Sequence, residues 1–488
     1  MPNFEHFIDL HCHPALKPFG KSFKYKPVGR QREDSKHITS LWYYDPPSLG
    51  DKLLNYATKL TKFRQSNFTS LAKGRVNITC ISLYPLEKWF VRNKMKPELL
   101  LDIGANFALG VSDKRIDFIQ GIKDYFEDLE REYNFYREID GKLIKLKKGQ
   151  YRYKLVRHIG DIETYESMDE IQGVKTIFVI ITIEGLHVLN TGLRLPHDPV
   201  EVKQNLEKIR NWEYRPFFIT IAHHFWNHIC GHAASLSGLI LKFTDQEEGI
   251  NTGFTPMGLD VLRRLLDNSD GKRIIPDIKH MSPQAREEYY ALLDAEPAYA
   301  DVPIVISHGA CNGLRANTNR VVVHPETGDK LNPVDINFFD EELIRLVKRG
   351  GMLGLQLDER RIVNEITKKK VKKSIWRKKI RRYRSELLWY QLEHVCRVLD
   401  NEHLPAWDHI GIGSDFDGII DSLNGFWTAE ELPALAGHLK VHADNFLSSY
   451  TFKNASNHID SGQLITKVMY TNARAFLEKH FINQGAIT

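Results

Sequence analysis

Short apolar runs recur along the chain and stop at side chains that bind metals or move protons. "FIDLHCH" ends at His11 and His13, "TIFVIITIEG" at Glu184, "PFFITIAHH" at His223, "RIIPDIKHM" at His280, "VPIVISHGA" at His308 and "HIGIGSDFDG" at Asp415. Two more runs, "RVNITCISLYP" and "GGMLGLQLD", fall between them without ending in a His. Runs this short, almost uniformly apolar and rich in Ile and Val, predict strands buried on both faces of a parallel sheet. Eight of them is the count of a (β/α)8 TIM barrel, an α/β fold.

The segments between the runs change period. In "GLDVLRRLLDN", Leu259, Leu262, Leu265 and Leu266 recur at three- and four-residue spacing, so one helical face can bury itself on the sheet. "SPQAREEYYALLDA", "DEELIRLVKRG" and "SELLWYQLEHVCRVLD" read the same way, and the alternation of strand with helix is the α/β signature. Thr255-Pro256 and Ser282-Pro283 predict helix starts, because Pro in the first turn gives up an N–H that has no partner there.

At 488 residues the chain far exceeds the roughly 250 that a plain barrel needs. The strand candidates run from Phe7 to Gly418, which leaves no stretch for an independent core, so one elaborated domain is expected, with insertions near 21–67, 113–169 and 359–389. The second insertion contains "DYFEDLEREYNFY", predicting a helix over the barrel with a Lys-rich hairpin after it.

Composition adds little: 42% hydrophobic and 26% charged residues describe a globular chain with ample core. The N-terminus begins directly with a strand and a histidine motif instead of a leader pattern, and no run approaches about 18 apolar residues. A cytoplasmic location without membrane insertion is the default expectation. The cysteines at 12, 80, 230, 311 and 396 are scattered, odd in number and without a CxxC pair, which argues for reduced core residues over disulfides or a thiolate site.

Charge changes the picture in one place. From Lys368 to Arg384 eleven of seventeen residues are basic and none is acidic, so the net +5 of the chain conceals a remainder near −6. The main expectation is a solvated helix on an inserted barrel loop. The alternative is a surface for nucleic acid, an anionic membrane or an acidic partner.

A barrel gathers the C-terminal ends of its strands at one mouth, so residues hundreds of positions apart can converge. His11 and His13 are two apart and point to the same face of their strand. Imidazole suits zinc and related divalent ions, a carboxylate such as Glu184 can bridge two of them, and His280 with His308 would serve a second ion. His224, His228 and His232 recur at four-residue spacing but lack a carboxylate in the same stretch, and are read as residues of the rim.

The ordered set "DLHCH", "IEG", "TIAHHFWN", "DIKHMS", "VISHGA" and "GIGSDFDG", with "GFTPMGLDVLRRL" before the fifth strand and "NARAFL" near the end, resembles the membrane dipeptidase family, peptidase family M19 of the amidohydrolase superfamily. The resemblance implies two divalent metal ions, as zinc: His11 and His13 on the first, His280 and His308 on the second, Glu184 between them. It further implies that His223 polarises the substrate carbonyl, that Asp415 is the acid/base, with Asp417 as competing candidate, and that the protein is a homodimer. An Arg after His308 would hold a substrate carboxylate, and Arg315 and Arg320 are the two candidates. One position departs from the family pattern, which reads His-x-Asp where this chain has His13; a neutral imidazole there makes the site more positive by one charge, and most other amidohydrolases do carry His-x-His.

The expected reaction is hydrolysis of the amide bond of a dipeptide or N-acyl amino acid by a metal-bridged hydroxide, with a small molecule as the principal partner. The alternatives are a non-peptide amidohydrolase (lactonase, deacylase or phosphoesterase) and an inactive barrel acting as a binding module through its basic segment.

Overall fold

The computed structural model of the chain describes residues 4–59, 61–91, 110–193, 195–236 and 244–483. In chain order its strands are β1 (Phe7–Cys12), β2 (Val76–Leu83), β3 (Ile144–Leu146), β4 (Gly149–Leu155), β5 (Val174–Glu184), β6 (Phe218–Thr220), β7 (Ile275–Asp277), β8 (Val305–Gly309), β9 (Met352–Leu355) and β10 (Ile410–Ile412). Neighbouring strands pair in the order β2-β1-β10-β9-β8-β7-β6-β5, and β2 pairs again with β5 to close a parallel eight-stranded barrel. The eight strands of the ring are the eight apolar runs of the sequence. They are buried along nearly their whole length, as expected where a barrel interior lies on one side and a layer of helices on the other.

Strands β3 and β4 form an antiparallel hairpin outside the ring. The second of them runs parallel to the first half of β5, with Gln150 opposite Val174 and Leu155 opposite Val179, while β6 pairs only with the last residues of β5, Ile183 and Glu184. The eleven residues of β5 are long enough to serve both partners in succession.

Two glycines bring the backbone close around the strand that carries His308. A Cβ on Gly354, in β9, would lie 2.0 Å from the Ser307 carbonyl oxygen, and one on Gly413, just past β10, would lie 1.9 Å from it. Only glycine permits this approach.

The predicted helix starts are capped as their chemistry suggests. Thr255 accepts the Gly258 N–H ahead of the helix Pro256–Leu266, and Ser282 accepts the Ala285 N–H ahead of Pro283–Ala295. In the first of these helices Val261, Leu262, Leu265 and Leu266 form the buried face.

The helix Tyr125–Arg137 precedes the β3–β4 hairpin, in the order the sequence suggested. The segment before Phe68 folds back onto the loop after β10 through a buried ion pair. Lys17 Nζ donates to Asp417 Oδ1 at 2.6 Å, and the backbone and hydroxyl of Ser66 donate to the same carboxylate. All five cysteines are buried free thiols. Among the described residues no helix is long and apolar enough to cross a membrane.

Candidate metal centre

The residue that organises the barrel mouth is Glu184, the last of β5. Its Oε1 faces the Nε2 atoms of His308 at 3.4 Å, His280 at 3.5 Å and His11 at 3.6 Å. Its Oε2 faces those of His13 at 3.2 Å and His223 at 3.5 Å. Five imidazoles from four strand ends thus divide between the two oxygens of one buried carboxylate. His11 and His13 converge until their Nε2 atoms are 3.0 Å apart, as the two-residue period of a strand requires. Asp415 completes the cluster, with Oδ1 3.7 Å from His13 Nε2 and 4.0 Å from His11 Nε2.

The outward nitrogens of these rings explain why the Nε2 atoms point inward. His13 Nδ1 donates to the Ser82 carbonyl at 3.1 Å, which turns Nε2 toward Glu184. Ser307 Oγ lies 3.2 Å from His11 Nδ1 and 2.9 Å from His308 Nδ1, and His223 Nδ1 meets Glu87 Oε2 at 2.7 Å. His280 Nδ1 is buried without a hydrogen-bond partner among the described residues.

Burial and charge set the protonation states. Burial drives His280 and His308 well below the usual imidazole range and His11 down to about 3, so these rings are held neutral, the form that binds metals. Burial opposes ionisation of Glu184, but the surrounding imidazoles, His223 and His11 foremost, overcome it and hold the carboxyl well below its ordinary value. Burial opposes the charge on His13 too, yet its hydrogen bond and proximity to Glu184 raise it to about 9. Asp415 is pushed the other way, well above the carboxylate range, by burial and then by the charge of Glu184.

Two acceptor oxygens cannot satisfy five converging imidazole nitrogens, whereas divalent ions seated among them would take the lone pairs of His11, His13, His280 and His308. A donor set of imidazole and carboxylate is the chemistry that zinc and its neighbours prefer. Three overlapping trios have ligand atoms within 4.8 Å of one another: His11, Glu184 and His308; His11, His13 and Asp415; and His223, His224 and His280. The residues present therefore fit divalent metal.

The cluster opens into a cavity. His223, His224, His280, His308, Glu184 and Asp415 line it, together with cationic groups that the sequence pattern did not single out: Lys279, Arg360 and Arg361. Lys279 Nζ is buried 3.2 Å from Gln356 Oε1, and burial, then the charge of Arg361, lowers it to about 7. Arg360 forms a fork with Asp358, with Nη2 2.6 Å from Oδ2. Arg361 donates to the Ser235 carbonyl and has no carboxylate within ion-pair distance among the described residues.

Arg315 and Arg320 do not reach the cavity. Both are exposed; Arg315 pairs with Glu341 at 3.2 Å and Arg320 with Asp335 at 2.8 Å, because the chain after β8 turns outward and engages the segment that leads into the helix Asp340–Lys348. Asp417 also points away, held by Lys17 and Ser66. Of the three spaced histidines, His224 reaches the cavity, with Nδ1 2.6 Å from Ser235 Oγ, while His232 Nε2 binds the Glu248 carbonyl and His228 lies beside His197. Glu87, Arg360 and Arg361 come from the segments after β2 and β9, the two strands whose runs end in no candidate ligand. The only local sign of them was polar residues placed directly after an apolar run.

A parallel barrel with buried imidazoles and acids gathered at one mouth defines a metal-dependent hydrolase. The family model described as membrane dipeptidase (peptidase family M19) matches residues 43–455, and the chain belongs to that family. Its fold is that of a dipeptidase AC of family M19, a metallopeptidase, at 15% sequence identity and a TM-score of 0.50 over 99% of this chain and 100% of that one. A metallopeptidase from Rhodobacter sphaeroides liganded with a phosphinate mimic of the dipeptide L-Ala-D-Ala is similar at 15% identity over 98% of this chain and 100% of that one, with a TM-score of 0.48. A search of curated proteins found no match.

Proposed function

We propose that this metallodipeptidase-type hydrolase cleaves the amide bond of a dipeptide or N-acyl amino acid at a centre of two divalent ions, with zinc as the best fit to the donors. The observation that carries the reading is the division of five imidazole Nε2 atoms between the two oxygens of Glu184. His11 and His13 would hold one ion and His280 and His308 the other, with Glu184 shared. When bound, the ions supply Lewis-acid polarisation of a carbonyl and acidification of water.

The remaining chemistry belongs to side chains. Asp415 takes the proton of the attacking water at its carboxylate and returns it to the leaving nitrogen. An acid/base needs access to both protonation states, and burial with the charge of Glu184 raises the Asp415 carboxyl above the usual carboxylate range. His223, oriented at Nδ1 by Glu87, turns Nε2 toward the place where the carbonyl oxygen develops charge. Arg361 meets the free carboxylate of the substrate, because its guanidinium lines the cavity while that of Arg360 is engaged by Asp358.

Metal analysis with a substrate panel tests the reading. Purified protein should carry two divalent ions per chain and hydrolyse dipeptides or N-acyl amino acids, with activity lost on chelation and restored by zinc. A protein that binds no divalent ion, or that on reloading hydrolyses lactones or phosphoesters and no amide, would overturn it.

A further inference from the structure

The basic segment and an exposed helix together form a surface that the hydrolase site does not use. The segment contains the short helix Glu365–Lys370, a turn, and the start of the long helix Arg377–Asn401. At its tip Ile375 is 90% exposed and Trp376 67%, and Ile366 one helix earlier is 66% exposed. Of the eleven basic residues, Lys368 pairs with Glu365, Arg377 and Arg381 share Glu431, and Arg384 binds Glu359. The other seven have no ion-pair partner among the described residues. Lys369, Lys370, Lys372 and Lys373 precede the tip, Lys378, Lys379 and Arg382 follow it, and all are exposed.

A second apolar face adjoins this segment. On the helix Leu49–Thr58, Leu49, Leu53 and Tyr56 stand at i, i+4 and i+7, so they share one face, and each is more than 60% exposed. Two contacts place this helix beside the basic segment. Lys59 Nζ lies 3.9 Å from Glu365 Oε1, and Lys52 Nζ lies 4.8 Å from the centre of the Trp427 ring, whose backbone N–H donates to the same Glu431 that holds Arg377 and Arg381. The patch also borders the catalytic mouth. Arg360 and Arg361, which line the cavity, lie a few residues before Glu365, and Ile419 of the cavity wall accepts a hydrogen bond from Arg360 through its carbonyl.

We propose that this surface docks the enzyme on an anionic phospholipid membrane, with Ile375, Trp376 and the Leu49–Tyr56 face entering the headgroup layer and the unpaired lysines meeting lipid phosphates and carboxylates. Charge complementarity selects this occupant. Seven solvated cations flank a tip of Trp and Ile, and an amphipathic ring beside flexible lysines is the side-chain set that partitions to a charged bilayer interface. Nucleic acid would use the cations but has no place for Leu49, Leu53, Ile366 and Ile375. Docking of this kind holds the enzyme at the bilayer surface without crossing it, with the cavity mouth close to the lipid.

The test uses the full-length protein and vesicles. Wild type should co-sediment with vesicles of phosphatidylcholine and phosphatidylserine, far less with phosphatidylcholine alone, and should be released by salt, since screening shortens the reach of the lysines to about 10 Å at 0.1 M. The I375S/W376S variant, which keeps every charge, should lose about tenfold or more in partitioning, the loss expected when two exposed apolar side chains no longer find a hydrophobic layer. K372E/K373E should lose a comparable factor. Both variants should hydrolyse a soluble dipeptide at the wild-type rate, which shows that they are folded. Equal binding to both kinds of vesicle, or binding by I375S/W376S at the wild-type level, would overturn the proposal. So would duplex DNA binding that I375S/W376S leaves intact in a protein that ignores vesicles, or a change of oligomeric mass in that variant, which would assign the patch to a second copy.

Discussion

Asp415 and His280 both hold a left-handed backbone, with φ of +59° and +67°. Such positions are costly for residues with a side chain, and here they aim a carboxylate and an imidazole at one point. Asparagine tolerates this conformation, so D415N keeps the loop while removing the proton acceptor. Its kcat should fall by about 10²- to 10⁴-fold, the range for loss of a general acid/base, with metal content unchanged. Steady-state kinetics beside metal analysis would read both, and an unchanged kcat would remove Asp415 from its assigned role. Arg361 gives a different signature. R361K keeps a positive charge but loses the planar fork, so KM for a dipeptide should rise by roughly tenfold or more, the cost of a charge-assisted hydrogen bond, with a smaller change in kcat. A dipeptide amide, which has no carboxylate, should be handled alike by wild type and variant; R315Q and R320Q should leave KM where it was.

Among elements, the helix Pro283–Ala295 shows how the site is kept in register. It begins three residues after His280, and its Arg286, fully buried, ties it to the chain ahead of the next helix. Arg286 Nε and Nη2 reach the two oxygens of Glu342 at 2.7 and 3.1 Å, and Nη1 donates to the carbonyls of Met281 and Asp335. Replacing it with Met should destabilise the fold by about 1–3 kcal/mol, because the half-buried Glu342 would keep only the hydrogen bonds from Tyr290 and Phe339 and the carbonyls of Met281 and Asp335 would lose their donor. Denaturant unfolding would measure this, and wild-type stability in R286M would show that the network contributes nothing. The same scale explains what the sequence could and could not reveal. Strand ends were legible because a buried parallel strand is an apolar run, and whatever stops it stands at the mouth; that logic located His11, Glu184, His223, His280, His308 and Asp415. Residues that join the site from the segments between strands have no such marker. Glu87 and Arg361 follow runs without a terminal His, and the direction of a loop depends on what packs beneath it. Arg315 was misplaced for the same reason, since its spacing from His308 says nothing about the outward turn that pairs it with Glu341. The joining of β4 to the first half of β5 was equally hidden, because the pairing partner of a strand is a non-local choice.

At the scale of the whole molecule, protons taken up on unfolding decide how the protein meets acid. On the helix Leu432–Leu447, His438 faces Arg381, His442, Lys378 and Arg382, with the Phe426 ring nearby. Burial, reinforced by Arg381 and the other positive groups, lowers it to about 4 from the 6.5 of a free imidazole. Burial lowers His480, near the end of the last helix, to about 4 as well. A depressed folded-state value means that the native protein binds fewer protons than the unfolded chain between these limits. The stability these neutral rings contribute is complete above pH 6.5 and is lost as pH falls toward 4. Both side chains are partly exposed, so solvent screening reduces the contribution of each to on the order of 1 kcal/mol, well below what the shift in a dry interior would give. Thermal melts at stepped pH should therefore show a falling midpoint below pH 6.5 that is shallower in H438Q, which has no proton to gain. The two curves should coincide above that pH apart from a constant offset, where both residues are neutral. An H438Q melt as steep as wild type across the same window would show that the loss of stability in acid arises elsewhere in the molecule.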